Sequence, residues 1–332
     1  MTSSAAKSAE ESGLFLRTPL IKSDPLSDLT GRDVYLKLDC LQPSGSFKDR
    51  GMANLCQTLQ QTKGTQKLIA SSGGNAGLAV ATVGAKQGMT VSVVVPESTK
   101  PNVIAKLKSL NAEVTVHGKI WNEADLLARQ RVEEDPQAEY VSPYDNPLLW
   151  RGHSTLVDEI AQDLPSFGAI LVSVGGGGLI CGVLEGLERH GKTTTKVVAC
   201  ETEGAASFGK SWLNGGKKIR LETISSIATS LGALEVTEVA LERAQQHQDR
   251  GGTVEAAICT DKEAVEACLQ FAADHRMLIE PACGAGLASL YSERLRSQTL
   301  KGVDGPIVVE VCGGSGVNLD LLNMWKKDLG IA

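Results

Sequence analysis

Short apolar runs, each leading into a helix-patterned stretch, constrain this chain more than any other feature of its sequence. Strand patterns fall at 34–39, 67–72, 90–96, 113–117, 169–174, 196–200, 254–259 and 307–312. Helix patterns fall at 52–61, 75–87, 101–110, 121–134, 149–164, 179–189, 236–248, 262–275, 284–295 and 318–328. Residues 140–147, with two prolines, read as a loop. Strands of about five or six residues fed by helices of ten to fifteen predict an α/β fold with parallel sheets. Continuously apolar strands fit sheets covered by helices on both faces. No internal repeat or low-complexity segment interrupts the alternation. The βα units form two clusters. They predict two open parallel-sheet domains with a cleft between, a large one of residues 1–41 plus 145–332 and a small one of 42–144. Ligands of such sheets bind beyond the carboxyl ends of the strands.

The 332 residues suffice for two domains with sizeable cores. A net charge of −6 without a long basic run argues against a nucleic-acid surface. No apolar run is long enough to span a bilayer. Residues 1–13 are polar and read as a loose N-terminal arm, with neither a secretory core nor an arginine-rich transit pattern. The eight cysteines form no C-x-x-C pair, and the five histidines lack metal-ligand spacing. Scattered cysteines of this kind pack as small hydrophobes in a reducing compartment, so a cytoplasmic location is expected.

Chemistry concentrates at turns between strand and helix. Pro43-Ser44-Gly45-Ser46-Phe47-Lys48-Asp49-Arg50-Gly51 follows the first strand pattern. A lysine at a helix start meets the positive end of the helix dipole, and Phe47 desolvates it. Both disfavour the ammonium and leave the neutral amine that a Schiff-base lysine needs. A solvated lysine is the commoner fate of such a residue. Ser71-Ser72-Gly73-Gly74-Asn75-Ala76-Gly77 offers backbone N–H groups and the Asn75 amide to an anion such as a carboxylate, although it also reads as an ordinary glycine turn. Gly175-Gly176-Gly177-Gly178-Leu179 costs more backbone entropy than a tight turn requires, which points to close approach of a phosphate. It is neither a Walker A motif nor a strict G-x-G-x-x-G, and only Glu201 mimics the acidic residue of a ribose site. Cys312-Gly313-Gly314-Ser315-Gly316 follows the last strand pattern. A reactive lysine and a phosphate cradle on one chain have a joint reading, a phosphorylated aldehyde held by an amine. Pyridoxal phosphate is the commonest such cofactor.

These motifs together resemble the fold-type II pyridoxal-phosphate enzymes, the tryptophan-synthase-β-like kind. Within them, the chain is similar to the short, catabolic L-serine/L-threonine dehydratases, including the serine dehydratase-like proteins. The resemblance covers residues 18–329 and rests on PSGSFK, SSGGNAG, GGGGL, 201–207, 226–233, EPACGA and VCGG. It implies α,β-elimination of L-serine to pyruvate and ammonia and of L-threonine to 2-oxobutanoate and ammonia. Lys48 would be both Schiff base and Cα base. Phe47 would pack on one face of the pyridine ring and Ser230 would lie on the other. Asn75 would bind the ring hydroxyl, and Gly175, Gly176, Gly177, Gly178 and Leu179 the phosphate. Cys312 would face the ring nitrogen, while Ser71, Ser72, Gly73, Asn75 and Ala76 hold the substrate carboxylate. Glu201, Ala205 and Ser207 match the family's monovalent-cation site, with K+ as the candidate ion. A cytoplasmic homodimer acting on a small amino acid, with no nucleic-acid or membrane partner, is implied as well.

Two departures stand out. Asp49 follows the lysine where these dehydratases mostly carry an apolar or β-branched residue, and FKDRG resembles the same stretch of threonine synthases. No regulatory domain follows residue 332, so control of the biosynthetic threonine deaminase kind is not expected. Two other readings stay open here: β- or γ-replacement of the cysteine- or threonine-synthase kind, and a nucleotide-binding protein without catalysis.

Overall fold

A computed structural model describes residues 8–332. Its strands are β1 (Leu20–Lys22), β2 (Val34–Lys37), β3 (Lys67–Ala70), β4 (Thr90–Val95), β5 (Glu113–Val116), β6 (Ala138–Val141), β7 (Ala169–Ser173), β8 (Lys196–Thr202), β9 (Thr253–Cys259) and β10 (Ile307–Glu310). Its helices are α1 (Asp24–Thr30), α2 (Lys48–Lys63), α3 (Asn75–Gln87), α4 (Pro101–Ser109), α5 (Trp121–Glu134), α6 (Pro147–Asp163), α7 (Gly178–Arg189), α8 (Ser207–Leu213), α9 (Glu238–Asp249), α10 (Asp261–His275), α11 (Pro281–Tyr291), α12 (Glu293–Thr299) and α13 (Leu319–Asp328). The chain divides into two compact units. One holds Gln42–Gly152 with the described N-terminal segment up to Arg17, and the other holds Thr18–Leu41 with His153–Ala332.

The first unit carries a four-stranded parallel sheet of order β5-β4-β3-β6. Its core includes Ile69 of β3, Val94 of β4, Ala124 and Ala128 of α5 and Ala138 of β6. The small residues of α5 let that helix lie close on the sheet. The N-terminal segment groups here for local reasons. Lys86 Nζ donates to Gly13 O at 2.8 Å, and the Arg50 guanidinium lies 5.2 Å from the Phe15 ring centroid. Of the expected loose arm, residues 1–7 lie outside the described residues.

The second unit carries a six-stranded sheet of order β1-β2-β10-β7-β8-β9. β1 is antiparallel to β2 and every other pairing is parallel. β7 and β10, both fully buried, are neighbours in the sheet. The turns after them therefore leave the same end of adjacent strands.

Three local features differ from the sequence expectation. Residues 140–147 are not all loop, because β6 occupies Ala138–Val141 beside β3. The 20–30 stretch forms β1 and α1, with the Ser23 hydroxyl accepting from Leu26 N and proline in the first turn. The helix expected over 284–295 is two helices, broken where Ser292 takes an extended conformation. Among the described residues no helix is long and apolar enough to cross a membrane.

Candidate active site

In the first unit, the loop ahead of α2 is folded by its own polar groups. Gly45 N donates to Gln42 O at 2.7 Å, and the fully buried Asp49 accepts from Ser44 N at 2.8 Å. Asp49 therefore clamps the loop from which Lys48 projects. Lys48 is the first residue of α2, one turn earlier than the sequence pattern places the helix, and it is half-buried. Its Nζ donates to Pro143 O at 2.6 Å and lies 5.0 Å from the Phe47 ring centroid. Pro143 lies just beyond β6, and β6 pairs with β3 in register Ala70↔Val141. The same register sets the Ser71 turn, which leaves the end of β3, near the Pro143 carbonyl. An open depression of about 310 Å³ lies on the far side of Pro143, lined by Trp121, Arg129, Tyr140 and residues 142–146; neither Lys48 nor the 71–76 turn lines it.

The turn at 71–74 delivers the chain into α3, whose N-terminus has no side-chain cap. A helix start of this kind suits an anion. A Cβ at Gly77 would lie 1.7 Å from Ser72 O, so the turn closes only over a glycine. Ser72, Gly73 and Asn75 are half-buried, and Ala76 is buried. Ser71 is buried and its hydroxyl donates to Asp125 Oδ1 at 2.6 Å. The hydroxyl proton of Ser71 is thus directed to α5.

In the second unit, β7 runs into Gly175–Gly178. Gly175 and Gly176 are half-buried, and Gly177, Gly178 and Leu179 are buried. α7 also starts without a side-chain cap. A Cβ at Gly175 would lie 3.1 Å from Leu231 Cα and 3.2 Å from Ser230 O, so the absent side chain brings the Ser230 loop onto the turn. Gly177 has φ +94°, and a Cβ there would lie 2.8 Å from Val236 Cγ2. Its peptide neighbours are fixed too, because Gly176 O accepts from Thr237 N at 3.0 Å. The result is a rigid backbone concavity at the head of a helix, which suits a phosphate.

Cys312 leaves the end of β10, next to β7. Its thiol is held well above the usual range by a hydrogen bond with Cys283 and by burial, with Ser173 at the end of β7 working the other way. It stays protonated. Beside it, Glu280 accepts from Gly316 N at 3.1 Å, and a Cβ at Gly314 would lie 1.9 Å from Glu280 Cδ. The 313–316 glycines thus make room for a carboxylate. Glu201 is fully buried, accepting from Phe208 N at 2.9 Å and Gly209 N at 2.6 Å. Burial outweighs those bonds and pushes its carboxyl up to about 8. Ala205 and Ser207 are buried close by in sequence, and the Ser207 hydroxyl has no hydrogen-bond partner.

Sequence reasoning did not single out Asp125, Tyr140, Arg129 or Glu280. The i, i+4 spacing of Asp125 and Arg129 was a readable signal. The approach of Tyr140 and Ser71 to them depends on strand order, which no local pattern encodes.

A two-unit α/β protein with an amine-bearing loop at one sheet and an uncapped glycine cradle at another belongs, by fold and chemistry, among enzymes that bind a phosphorylated aldehyde. The chain matches the pyridoxal-phosphate dependent enzyme family over residues 12–313, and it is a member of that family. Its cofactor is pyridoxal phosphate. It is 42% identical to the human protein named serine dehydratase-like, over 99% of both chains. It is 40% identical to the mouse L-serine dehydratase/L-threonine deaminase, over 97% of this chain and 98% of that one. Among solved structures it is similar to a fungal L-serine ammonia-lyase from Rhizomucor miehei, with TM-score 0.87, 32% identity and coverage of 95% and 98%. The fold is that of the fold-type II enzymes, as expected from the sequence.

The residues present fit the cofactor. At Gly175 and Gly177 the room of the missing side chains is taken by the Ser230–Leu231 loop and by Val236 and Ala240, which fixes the backbone of the turn, and α7 starts without a side-chain cap. A half-buried lysine heads α2.

Proposed function

We infer that this chain is a pyridoxal-phosphate dependent L-serine/L-threonine ammonia-lyase, releasing pyruvate or 2-oxobutanoate with ammonia. The observation that carries the reading is the pairing, in one chain, of a lysine at the head of α2 with the side-chain-free turn at the head of α7. Relatives named for serine and threonine dehydration match it over nearly their whole length.

Pyridoxal phosphate, when bound, supplies the electron sink that acidifies the Cα–H bond of an amino acid. Lys48 is the residue proposed to carry the group and to take the Cα proton at its Nζ. Phe47 and Ser230 are proposed to line the two ring faces, and Asn75 to bind the ring hydroxyl. Gly175, Gly176, Gly177, Gly178 and Leu179 are proposed to hold the phosphate through backbone N–H groups. Cys312, a neutral thiol, would place no negative charge at the ring nitrogen. With the cofactor bound, an uncharged partner at the ring nitrogen would leave charge nearer Cα and would favour departure of the β-hydroxyl. Ser72, Gly73, Asn75 and Ala76 are proposed to present N–H and amide donors to the substrate carboxylate, in a turn that Ser71 holds in place.

The Asp49 departure has a local structural role, since its Oδ2 accepts from Ser44 N. Glu201, Ala205 and Ser207 are proposed to hold a monovalent cation, K+ foremost. In support, the buried Glu201 carboxyl and the buried Ser207 hydroxyl, which has no hydrogen-bond partner, lie six residues apart in the chain. All eight cysteines are free, which supports a reducing, cytoplasmic setting, and the homodimer rests on family likeness. Keto-acid release from each enantiomer of serine and threonine tests the reading. Turnover of the L-enantiomers is expected, with none in Lys48→Ala. Pyruvate-free conversion of L-serine in the presence of a thiol would replace this reading with β-replacement.

A further inference from the structure

Ser71 is the first residue after β3 and begins the turn proposed above to hold the substrate carboxylate. It is 1% exposed, and its hydroxyl points away from solvent toward α5. There, three donors converge on one carboxylate. Ser71 Oγ and the Tyr140 hydroxyl meet Asp125 Oδ1 at 2.6 and 2.5 Å, and Arg129 Nε meets Oδ2 at 2.8 Å. The brace is itself packed, since the Arg129 guanidinium lies over the Tyr140 ring at 4.1 Å from its centroid. Tyr140 comes from β6, the strand that pairs with β3 beneath the turn. The four side chains therefore tie together the turn, the neighbouring strand and the covering helix.

Burial pushes the Asp125 carboxyl up, but Ser71, Tyr140 and Arg129 together hold it below the usual carboxylate range. It is an anion at neutral pH and can only accept. Ser71 has one hydroxyl proton, and it is given to Asp125. A substrate carboxylate needs donors, so Ser71 Oγ does not serve it directly. The substrate carboxylate is then left to backbone N–H groups of the turn and of the α3 start. Their aim depends on where Ser71 is held.

The geometry points to Asp125 as a positioning residue for the substrate carboxylate, acting through Ser71 and braced by Tyr140 and Arg129. The role rests on the assignment of residues 71–76 to the carboxylate. It is a role in binding, not in proton transfer, so it acts on substrate affinity and leaves the chemical step alone.

The test uses the holoenzyme, with Asp125→Ala and Ser71→Ala made singly and together. Two readouts are taken: KM and kcat for L-serine, and the dissociation constant of L-alanine, which has the carboxylate and amine but no leaving group, read from the cofactor's visible absorbance. Each single variant is expected to raise KM and the L-alanine dissociation constant about tenfold, the effect of losing one charge-assisted hydrogen bond, with kcat within about twofold. The double variant is expected to match the singles, because both remove the same link. A fall in melting temperature with both constants unchanged would overturn the role, as would a double variant whose effect is the product of the singles. If Asp125→Ala does not fold, Tyr140→Phe removes one brace without leaving a cavity. A rise of about threefold in the L-alanine constant supports the role, and no change overturns it. A wild type whose absorbance ignores L-alanine would remove the carboxylate assignment itself, and the role with it. Normal wild-type binding that the variants leave untouched would remove the role alone.

Discussion

Glu201 is expected to make the stability of this protein fall as pH rises through the neutral range, a dependence that melting curves check. Its carboxyl is fully buried and, although Phe208 N and Gly209 N donate to it, burial raises it from 4.5 to about 8. Above its unfolded value the unfolded chain gives up this proton while the folded chain keeps it. Stability attributable to the protonated form is therefore complete below about pH 4.5 and is lost progressively up to about pH 8. At about 1.4 kcal/mol per pH unit, the loss across the window is on the order of several kcal/mol. His247 and His275, both pushed down by burial, act in the opposite sense, gaining stability as pH approaches the ordinary histidine value. The comparison is therefore between wild type and Glu201→Gln, melted in potassium-free buffer from about pH 5 to about pH 8. The variant sets an amide against one of the two N–H donors, so its melting temperature is lower at acid pH. Its curve nevertheless lacks the downward slope, and the two curves converge toward pH 8. Added K+ lifts the wild-type curve at the alkaline end and leaves the variant where it was. Parallel curves would refute the assignment of the slope to Glu201.

Gly177→Ala combines left-handed backbone strain of about 1–2 kcal/mol with overpacking against Val236 and Ala240 of about 1–3 kcal/mol. It should lower the melting temperature and weaken cofactor retention on dialysis; full retention would separate the turn from the phosphate. Asp49→Ala leaves Ser44 N without its acceptor and loosens the loop before Lys48, so kcat should fall while cofactor affinity for the phosphate turn is kept, as measured by kinetics and equilibrium dialysis. Gly314→Ala drives a Cβ to within 1.9 Å of Glu280 Cδ, and the expected outcome is a protein that expresses poorly or melts early, read by calorimetry.

The alternation of strand and helix and the two glycine turns that head α3 and α7 were legible in the sequence, because each is a local pattern. The lysine turn was legible as well, although α2 begins at Lys48 itself rather than four residues later. β1 was missed because three residues beside a proline carry no alternation, and β6 because its AEYV sequence sits among prolines. The break between α11 and α12 has no glycine or proline to announce it; only the backbone of Ser292 does. Asp49 reads as a departure from a family pattern until its bond to Ser44 N is seen. The Asp125 hub could not be read, since it joins residues 71, 125, 129 and 140 through the order of strands in a sheet.

The most direct measurement is borohydride reduction of the purified holoenzyme, followed by peptide mapping. The expected result is loss of the visible absorbance and a single pyridoxyl label on the peptide that holds Lys48. A label on any other lysine, or a colourless protein that takes up none, would contradict the account.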